Sequence, residues 1–263
     1  KKFNQISNSI QTEKVDDSKE LKPSEYIEIA LLELGSSSSL HIIYLIEKEK
    51  LAVIKKIIIE QFDKDDDHVL KREINNYKSI THPFILKYYG FSIIKNYVCP
   101  IFEYINGRTL NDINQMNLNF FERAKIIFEL ILIVHYLHSN GFIYRDLKPD
   151  NVMIDMNKTL ILIDLDRMIM NKDATLSTLT NDFGNTEFVA PEIYLKSQDY
   201  TNKVDIYSLG MMILYIVCDG IFDLKNYPNF FSPLKELCLK CINKQNPDLR
   251  PSISDLLDDF CTK

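Results

Sequence analysis

The sequence predicts an α+β fold in which a small strand-rich lobe precedes a larger, mainly helical lobe. Short segments rich in β-branched residues recur as far as Ile105, whereas the apolar segments that follow are longer and have helical spacing. The chain has 263 residues, enough for two lobes with a substantial core. We expect a disordered polar leader over residues 1–24 and one folded domain over 25–263, with lobes at 25–105 and 106–263.

The first lobe is predicted to consist of five strands and one main helix. The strand segments are YIEIALLEL, LHIIYLIE, KLAVIKKIII, ILKYYGFSII and YVCPIFEYI. Between the third and fourth of these, HVLKREINNYKSI predicts the helix. This helix should end near Pro83, because the residue before a proline disfavours helical backbone angles.

Two long apolar helices are predicted in the second lobe. The first, NFFERAKIIFELILIVHYLHSNG, has Asn119 as a candidate N-cap and Gly141 as a terminator. The second is VDIYSLGMMILYIVC. Both are apolar on nearly all sides, which is typical of buried helices. His135 and His138, on the first helix, have no neighbouring metal-ligand pattern and are interpreted as core or boundary residues.

Composition excludes several classes of function. A net charge of −6 argues against binding to nucleic acid, which relies on a basic surface. The longest apolar runs are shorter than the roughly 20 residues that span a bilayer. Five scattered cysteines favour reduced thiols in an intracellular, cytoplasmic protein. Cys238-x-x-Cys241 has no second pair at zinc-site spacing, and two core cysteines are the better interpretation.

The stretch YRDLKPDN, from Tyr144 to Asn151, closely resembles the catalytic loop of eukaryotic protein kinases. Other segments resemble further motifs of that family in the same order, between about Tyr26 and Asp259. They are AVIKK with Lys55, KREINNYKSITHPFI with Glu73, FVAPE with Glu192, VDIYSLG, and NPDLRPS with Arg250. The resemblance implies a bilobal protein-kinase-like fold and ATP-dependent phosphoryl transfer to protein substrates.

Each of these residues suits one requirement of phosphoryl transfer, which depends on positioning and on neutralising phosphate charge. The resemblance implies that Lys55 binds the α- and β-phosphates and that Glu73 pairs with it. It implies that Asp146 orients or deprotonates the acceptor hydroxyl, and that Lys148 balances charge on the transferred group. Without the resemblance, RDLKPDN would be a polar turn around a proline.

Two aspartates compete for the role of metal ligand beside Asn151. In the family this aspartate follows the catalytic-loop aspartate by roughly eighteen residues. Asp164, in LILIDLDRM, lies 18 residues after Asp146, whereas Asp182, in an Asp-Phe-Gly sequence, lies 36 residues after it. We therefore predict that Asn151 and Asp164 bind Mg²⁺, and that the Asp-Phe-Gly at 182–184 is a chance match.

The nucleotide site is the part that departs most from the family. The resemblance assigns ATP-binding roles to Leu34, Gly35, Ser37, Ile42, Val53, Lys55, Glu103, Ile105, Asp112 and Met153. In GSSSSLHI, Ser37 and Leu40 replace two glycines. Glycine permits close backbone approach to phosphate, but serine still presents its backbone N–H. We expect weakened nucleotide affinity.

Two further expectations concern regulation and class. Arg145, next to the catalytic aspartate, could receive a phosphorylated activation-segment residue; the candidates are Ser177, Thr178 and Thr180. Lys148 favours a serine/threonine kinase using ATP and Mg²⁺, and the C-terminal motifs resemble the tyrosine-kinase-like group.

A pseudokinase acting as a scaffold is the alternative, because the glycine loop is degraded and Asp166 replaces a glycine. A small-molecule kinase is disfavoured, because Glu192 and Arg250 belong to the protein-substrate platform.

Overall fold

A computed structural model describes residues 20–35, 38–58, 74–175, 186–195, 200–220 and 232–262. The chain divides into two compact units. One contains residues 1–81 and 86–105, and the other contains residues 82–85 and 106–263. The first unit carries the five longer strands, and the second carries the long helices together with short strands, which confirms the predicted α+β class.

The first unit is built on an antiparallel five-stranded sheet in the order β1-β2-β3-β5-β4. The strands are β1 (Tyr26–Leu34), β2 (Ser38–Leu45), β3 (Lys50–Ile58), β4 (Tyr88–Ile94) and β5 (Tyr97–Glu103). Residues 74–79 are helical, within the segment predicted as the main helix. All five predicted strands are therefore present.

Side chains alternate between the two faces of this sheet, as the period of a strand requires. Ile43, Ala52, Ile54 and Ile101 are fully buried in one cluster. Val53, between two of these residues, points to the opposite face and is only partly buried. The sheet thus has one closed face and one face that is open in places.

Part of the predicted leader belongs to the folded first unit. Leu21 is buried against the sheet, and its backbone N–H donates to the Phe91 carbonyl oxygen of β4 at 2.8 Å. A short 3₁₀ helix, Pro23–Glu25, connects it to β1, with the Glu25 carboxylate accepting from the Lys22 N–H at 2.7 Å. The expected boundary after residue 24 is therefore wrong for residues 20–24, because the apolar Leu21 anchors them. Residues 1–19 lie outside the described ranges.

The second unit combines helices with two small sheets, β6-β8-β9 and β10-β7. Its strands are β6 (Gly107–Thr109), β7 (Phe142–Ile143), β8 (Val152–Asp155), β9 (Leu160–Leu162) and β10 (Ile169–Met170). Its helices are α1 (Phe120–Ser139), α2 (Pro191–Tyr194), α3 (Lys203–Val217), α4 (Ser232–Cys241) and α5 (Ile253–Thr262). The short strands frame the loops that carry the predicted chemistry.

Helix α1 begins and ends where the sequence predicts. Asn119 Oδ1 accepts from the Glu122 N–H at 3.0 Å, and Glu122 Oε2 accepts from the Asn119 N–H at 2.8 Å. This reciprocal cap satisfies two donors at the helix N-terminus. Gly141 follows the helix with φ 78°, a left-handed conformation that glycine adopts without a steric cost.

Cys238 and Cys241 lie on the side of α4 that packs on α3. The Cys238 thiol donates to the Gly210 carbonyl oxygen at 3.2 Å, and burial raises its pKa to about 12. A Cβ at Gly210 would lie 2.5 Å from the Cys241 Cβ, so this position requires glycine. The two cysteines are core residues, and all five cysteines of the chain are free thiols.

No helix within the described ranges combines the length and the apolar character needed to cross a membrane.

Candidate active site

The loop between β7 and β8 is held by a buried carboxylate of α3. Asp205 is fully buried; its Oδ2 accepts the Tyr144 N–H at 2.8 Å and its Oδ1 accepts the Arg145 N–H at 2.7 Å. Arg145 has φ 71°, a left-handed conformation that costs a non-glycine residue about 1–2 kcal/mol. The two hydrogen bonds to Asp205 offset that cost and fix the backbone immediately before Asp146.

His138 of α1 completes this anchor. Its Nε2 lies 2.8 Å from Asp205 Oδ2, and because an ionised carboxylate only accepts, Nε2 is the donor. The side chain is 4% exposed. The sequence predicted a core histidine without a special partner. Its role, like that of Asp205, was missed, since the two residues are 67 positions apart and no local pattern connects them.

The predicted catalytic residues Asp146 and Lys148 and the predicted metal ligand Asn151 are brought together. Lys148 Nζ donates to Asp146 Oδ2 at 2.8 Å and lies 3.1 Å from Oδ1. Asn151 Nδ2 donates to Asp146 Oδ2 at 2.7 Å and to the Asp146 carbonyl oxygen at 2.8 Å. Oδ2 is therefore occupied twice, whereas Oδ1 has one longer contact. This leaves Oδ1 as the oxygen better placed to accept a further proton donor.

The predicted metal ligands also lie on neighbouring backbone. The Ile163 N–H donates to the Asn151 carbonyl oxygen at 3.0 Å, which continues the β8–β9 pairing up to the residue before Asp164. Both bonds from the Asn151 amide nitrogen go to Asp146, so its Oδ1 remains available as a ligand. Carboxylate and amide oxygens are the ligands that Mg²⁺ prefers. The chemistry of this pair therefore fits the ion.

Asp166, which replaces a glycine of the family motif, is accommodated without backbone strain. Its N–H donates to Asp164 Oδ1 at 2.9 Å, so it orients the predicted metal ligand. It is not among the described residues with positive φ, and so it does not occupy the region in which a side chain is costly. Glycine is thus not required at this position.

Arg145 projects from the same loop toward the segment after β9. Its Nε donates to the Arg167 carbonyl oxygen at 2.6 Å, and its Nη1 donates to the Tyr200 hydroxyl at 2.9 Å. The predicted phosphorylation sites Ser177, Thr178 and Thr180 lie outside the described residues. The same holds for Glu73, Ser37 and the Asp-Phe-Gly at 182–184, and the predictions about all of these residues stay open.

The pairing of Glu192 with Arg250 is confirmed. Arg250 Nη1 donates to Glu192 Oε1 at 2.6 Å, and Nη2 donates to Oε2 at 2.9 Å. Both side chains are buried, and the guanidinium lies over the Tyr207 ring. This two-pronged ion pair joins α2 to the loop before α5.

The first unit carries most of the predicted nucleotide residues along one stretch of its sheet. Ile42 of β2 pairs with Val53 of β3, and Leu40 pairs with Lys55. Because Val53 and Lys55 are two residues apart, they share a face. Glu103, at the end of β5, is fixed by two bonds to Lys87: its N–H donates to the Lys87 carbonyl oxygen at 2.9 Å, and its Oε1 accepts the Lys87 N–H at 2.8 Å.

The remaining predicted nucleotide residues are more exposed or lie in the second unit. Leu34 ends β1 with 76% of its surface exposed, and the Gly35 N–H donates to the Ser38 carbonyl oxygen at 2.9 Å. Ile105 follows β5 and is partly buried. In the second unit, Asp112 lies in a 3₁₀ segment and Met153 lies on β8. Their role in binding ATP stays a prediction.

The resemblance to protein kinases assigns Tyr77, Tyr88, Tyr144 and Leu165 to a hydrophobic stack. In the first unit, the Tyr77 and Tyr88 rings are stacked with centroids 6.2 Å apart. In the second unit, Tyr144 and Leu165 are both buried. Each unit therefore supplies two members of the predicted set.

Comparison with known proteins assigns a family. A sequence model described as "Protein kinase domain" matches residues 26–262. The chain is 27% identical over 81% of its length to mitogen-activated protein kinase kinase kinase 3 of Arabidopsis thaliana. It is 28% identical over 86% of its length to CBL-interacting serine/threonine-protein kinase 8 of the same plant. It is 26% identical over 92% of its length to a probable serine/threonine-protein kinase of Dictyostelium discoideum.

The chain corresponds to only part of each of these relatives. It covers 38% of the first, 52% of the second and 25% of the third. The similarity thus concerns the kinase domain rather than the whole length of these proteins.

Proposed function

This chain belongs to the protein kinase family, and we propose that it transfers the γ-phosphate of ATP to serine or threonine hydroxyls of protein substrates. The observation that carries this proposal is the Asp146 carboxylate, whose Oδ2 accepts from both Lys148 and Asn151 while Oδ1 has only the longer bond from Lys148. A carboxylate fixed in this way can orient an incoming hydroxyl and take its proton.

The transfer follows from that arrangement. The acceptor hydroxyl donates to Asp146 Oδ1, and its oxygen attacks the γ-phosphorus. The bond between that phosphorus and the oxygen bridging to the β-phosphate breaks, and the hydroxyl proton passes to Asp146. Lys148, whose Nζ is within 3.1 Å of both Asp146 oxygens, supplies positive charge next to the transferred group. In the first unit, Lys55 is proposed to bind the α- and β-phosphates.

Mg²⁺ would be held by Asn151 Oδ1 and the Asp164 carboxylate. When bound, the ion neutralises phosphate charge and aligns the phosphate oxygens. Asn151 has a second task, since its amide nitrogen fixes Asp146. One side chain thereby connects the proposed metal site to the proposed base.

The second candidate is a pseudokinase that acts as a scaffold. Its support lies at the nucleotide end, where Ser37 and Leu40 replace glycines. Asp166 is weaker support for a pseudokinase than the sequence indicated. Its backbone is unstrained, and its N–H donates to the predicted metal ligand Asp164.

The deciding experiment measures phosphate transfer from labelled Mg-ATP to a panel of protein substrates. Asp146→Asn removes the proton acceptor and should lower the transfer rate by about 10²-fold or more. Asp182→Asn, in the Asp-Phe-Gly sequence, is the matched control and should retain the wild-type rate. Asp164→Asn should raise the Mg²⁺ concentration needed for half-maximal transfer.

Two outcomes would contradict the proposal. If Asp182→Asn lost transfer activity and Asp164→Asn retained it, our assignment of Asp164 as the metal ligand would be wrong. A wild-type protein that transfers no phosphate and shows no Mg-ATP-induced rise in melting temperature would favour the scaffold.

A further inference from the structure

Arg167 places a second cation beside the proposed catalytic carboxylate, and the mechanism above does not use it. Its Nε lies 3.9 Å from Asp146 Oδ2, which is too long for a hydrogen bond. The side chain is only 22% exposed. Its guanidinium donates no hydrogen bond to the described part of the chain. A guanidinium has five donors, so Arg167 keeps the capacity to bind a further partner.

The backbone that carries Arg167 is fixed. Its carbonyl oxygen accepts from Arg145 Nε at 2.6 Å. Leu165 and Met168, on either side, are fully buried, and the Met168 N–H donates to the Leu165 carbonyl oxygen at 3.3 Å. The guanidinium is therefore presented from a rigid turn, so that little conformational freedom is lost when it binds a partner.

Asp146 does not occupy the hydrogen-bond donors of Arg167. Asp146 already accepts two hydrogen bonds from Lys148 and Asn151, so Arg167 is not needed to neutralise it. The ion-pair contact of Arg167 in the described part of the chain is the 3.9 Å approach to Asp146. Lys148 thus supplies the charged hydrogen bonds to Asp146, and the Arg167 guanidinium keeps donors for a partner beside the oxygen where the acceptor hydroxyl would bind.

We propose that Arg167 binds an acidic side chain next to the phosphorylated residue, so that the preferred substrates carry Asp or Glu adjacent to the acceptor. A guanidinium and a carboxylate form short, charge-assisted hydrogen bonds in a two-pronged geometry. The distance to Asp146 places such a carboxylate within one residue of the acceptor. This inference rests on the proposed function and adds a substrate class to it.

The test compares matched serine peptides that differ at one position. Each peptide carries Glu, Gln or Lys immediately before or immediately after the acceptor, and kcat/KM is measured with wild type, Arg167→Gln, Arg167→Lys and the control Arg108→Gln. Arg108 is an exposed arginine of β6 in the same unit. For wild type and Arg108→Gln we expect the Glu peptide to exceed the Gln peptide by about tenfold at one of the two positions.

In Arg167→Gln this ratio should fall to near one, and Arg167→Lys should restore part of it. An effect through stability alone would lower kcat/KM for all peptides equally and leave the ratio unchanged. Equal use of Glu and Gln peptides by wild type would overturn the inference, as would a preference that survives in Arg167→Gln. If Arg167→Gln instead raised the KM for ATP equally with all peptides, Arg167 would bind the nucleotide phosphates, and the inference would also be overturned.

Binding separates this inference from the proposed function. If wild type phosphorylates no peptide, the proposed kinase activity fails, but the recognition can still be measured by fluorescence anisotropy with labelled Glu and Gln peptides. Tighter binding of the Glu peptide that disappears in Arg167→Gln would support the acidic site. Equal binding of the two peptides would reject it.

Discussion

The catalytic loop of the second unit and the β1–β2 end of the first unit are held in contrasting ways. Around the catalytic loop, the fully buried Asp205 accepts from two backbone N–H groups and from His138. At the β1–β2 end, the described part of the turn is closed by one backbone hydrogen bond from Gly35 to Ser38, next to the highly exposed Leu34. Among the residues that the structure describes, more constraints act on the first region than on the second.

This difference corresponds to the two tasks that we propose. Proton transfer at Asp146 requires a fixed geometry, because misplacing the base by about 1 Å can cost 10²-fold in rate. Nucleotide affinity changes gradually with each contact, and a serine N–H can replace a glycine N–H. The glycine replacements Ser37 and Leu40 therefore fall where their effect is graded, whereas Asp146, Lys148 and Asn151 are retained.

The largest effect that we predict is on the stability of the second unit. Arg250→Met leaves the Glu192 carboxylate buried without its partner and should lower the free energy of unfolding by about 3–5 kcal/mol. Lys240→Met is the control, since it removes the exposed pair with Glu236 on α4 and should cost about 0.5 kcal/mol or less. Urea unfolding measures both.

If Glu192 is also changed, much of the loss should be recovered. The double variant Glu192→Leu, Arg250→Met removes both charges, and replacing a buried pair by apolar residues is often close to neutral. A double variant as unstable as Arg250→Met would indicate that the guanidinium contacts to backbone carbonyls, rather than the ion pair, carry the effect.

Asp205→Asn tests the anchor of the catalytic loop. Asparagine retains one acceptor oxygen for the N–H groups of Tyr144 and Arg145 and loses the charge, so we expect a loss of about 2 kcal/mol in unfolding free energy. Transfer activity should fall by more than the loss of stability explains. Asp205 holds Arg145 in its left-handed backbone conformation, and Arg145 directly precedes Asp146. The exposed Asp173→Asn should change stability by less than about 0.5 kcal/mol. An Asp205→Asn variant with wild-type kcat would show that the anchor does not position the base.

A smaller effect, and a gain, is predicted at the nucleotide end. Leu40→Gly restores a family glycine and should lower the KM for ATP several-fold, because the backbone can then approach the phosphates more closely. It should also destabilise β2 by about 1 kcal/mol. Leu51→Gly, which removes a leucine from β3 opposite Tyr44, is the matched control for the loss of strand propensity. An ATP KM that changes equally in both variants would argue against a phosphate role for this turn.

The sequence predicted the parts of the site that are close together along the chain. It also predicted the Glu192–Arg250 ion pair, through the family motifs that contain these residues. Asp146, Lys148 and Asn151 lie within six residues, and a proline turn holds them together, so motif and geometry agree. Glu192 and Arg250 were paired only because the resemblance relates them. Strand alternation and helix caps likewise depend on near neighbours, which explains why the five strands and the ends of α1 were predicted.

The contacts that were missed depend on long-range packing. Asp205 lies 61 residues from Tyr144, and neither residue carries a local signal for the bond between them. The position of Arg167 beside Asp146 likewise depends on how the segment after β9 turns back, which its sequence does not specify. Leu21 was assigned to the leader because one leucine in a polar stretch gives no periodic pattern.

The smallest effect that we predict concerns an exposed charge in the first unit. Glu28 of β1 accepts from Lys56 Nζ at 2.7 Å, and its Oε1 lies 2.6 Å from His41 Nδ1. The hydrogen bond from Lys56 lowers the Glu28 pKa, which means that the folded state favours the ionised form. The resulting stabilisation is present above the unfolded pKa of about 4.5 and is lost as the pH falls below it. Because the side chain is 43% exposed, Glu28→Gln should cost less than about 1 kcal/mol at pH 7. The cost should be smaller at pH 3 than at pH 7, as measured by urea unfolding at both pH values; an equal cost at both would mean that packing, rather than charge, stabilises this corner of the sheet.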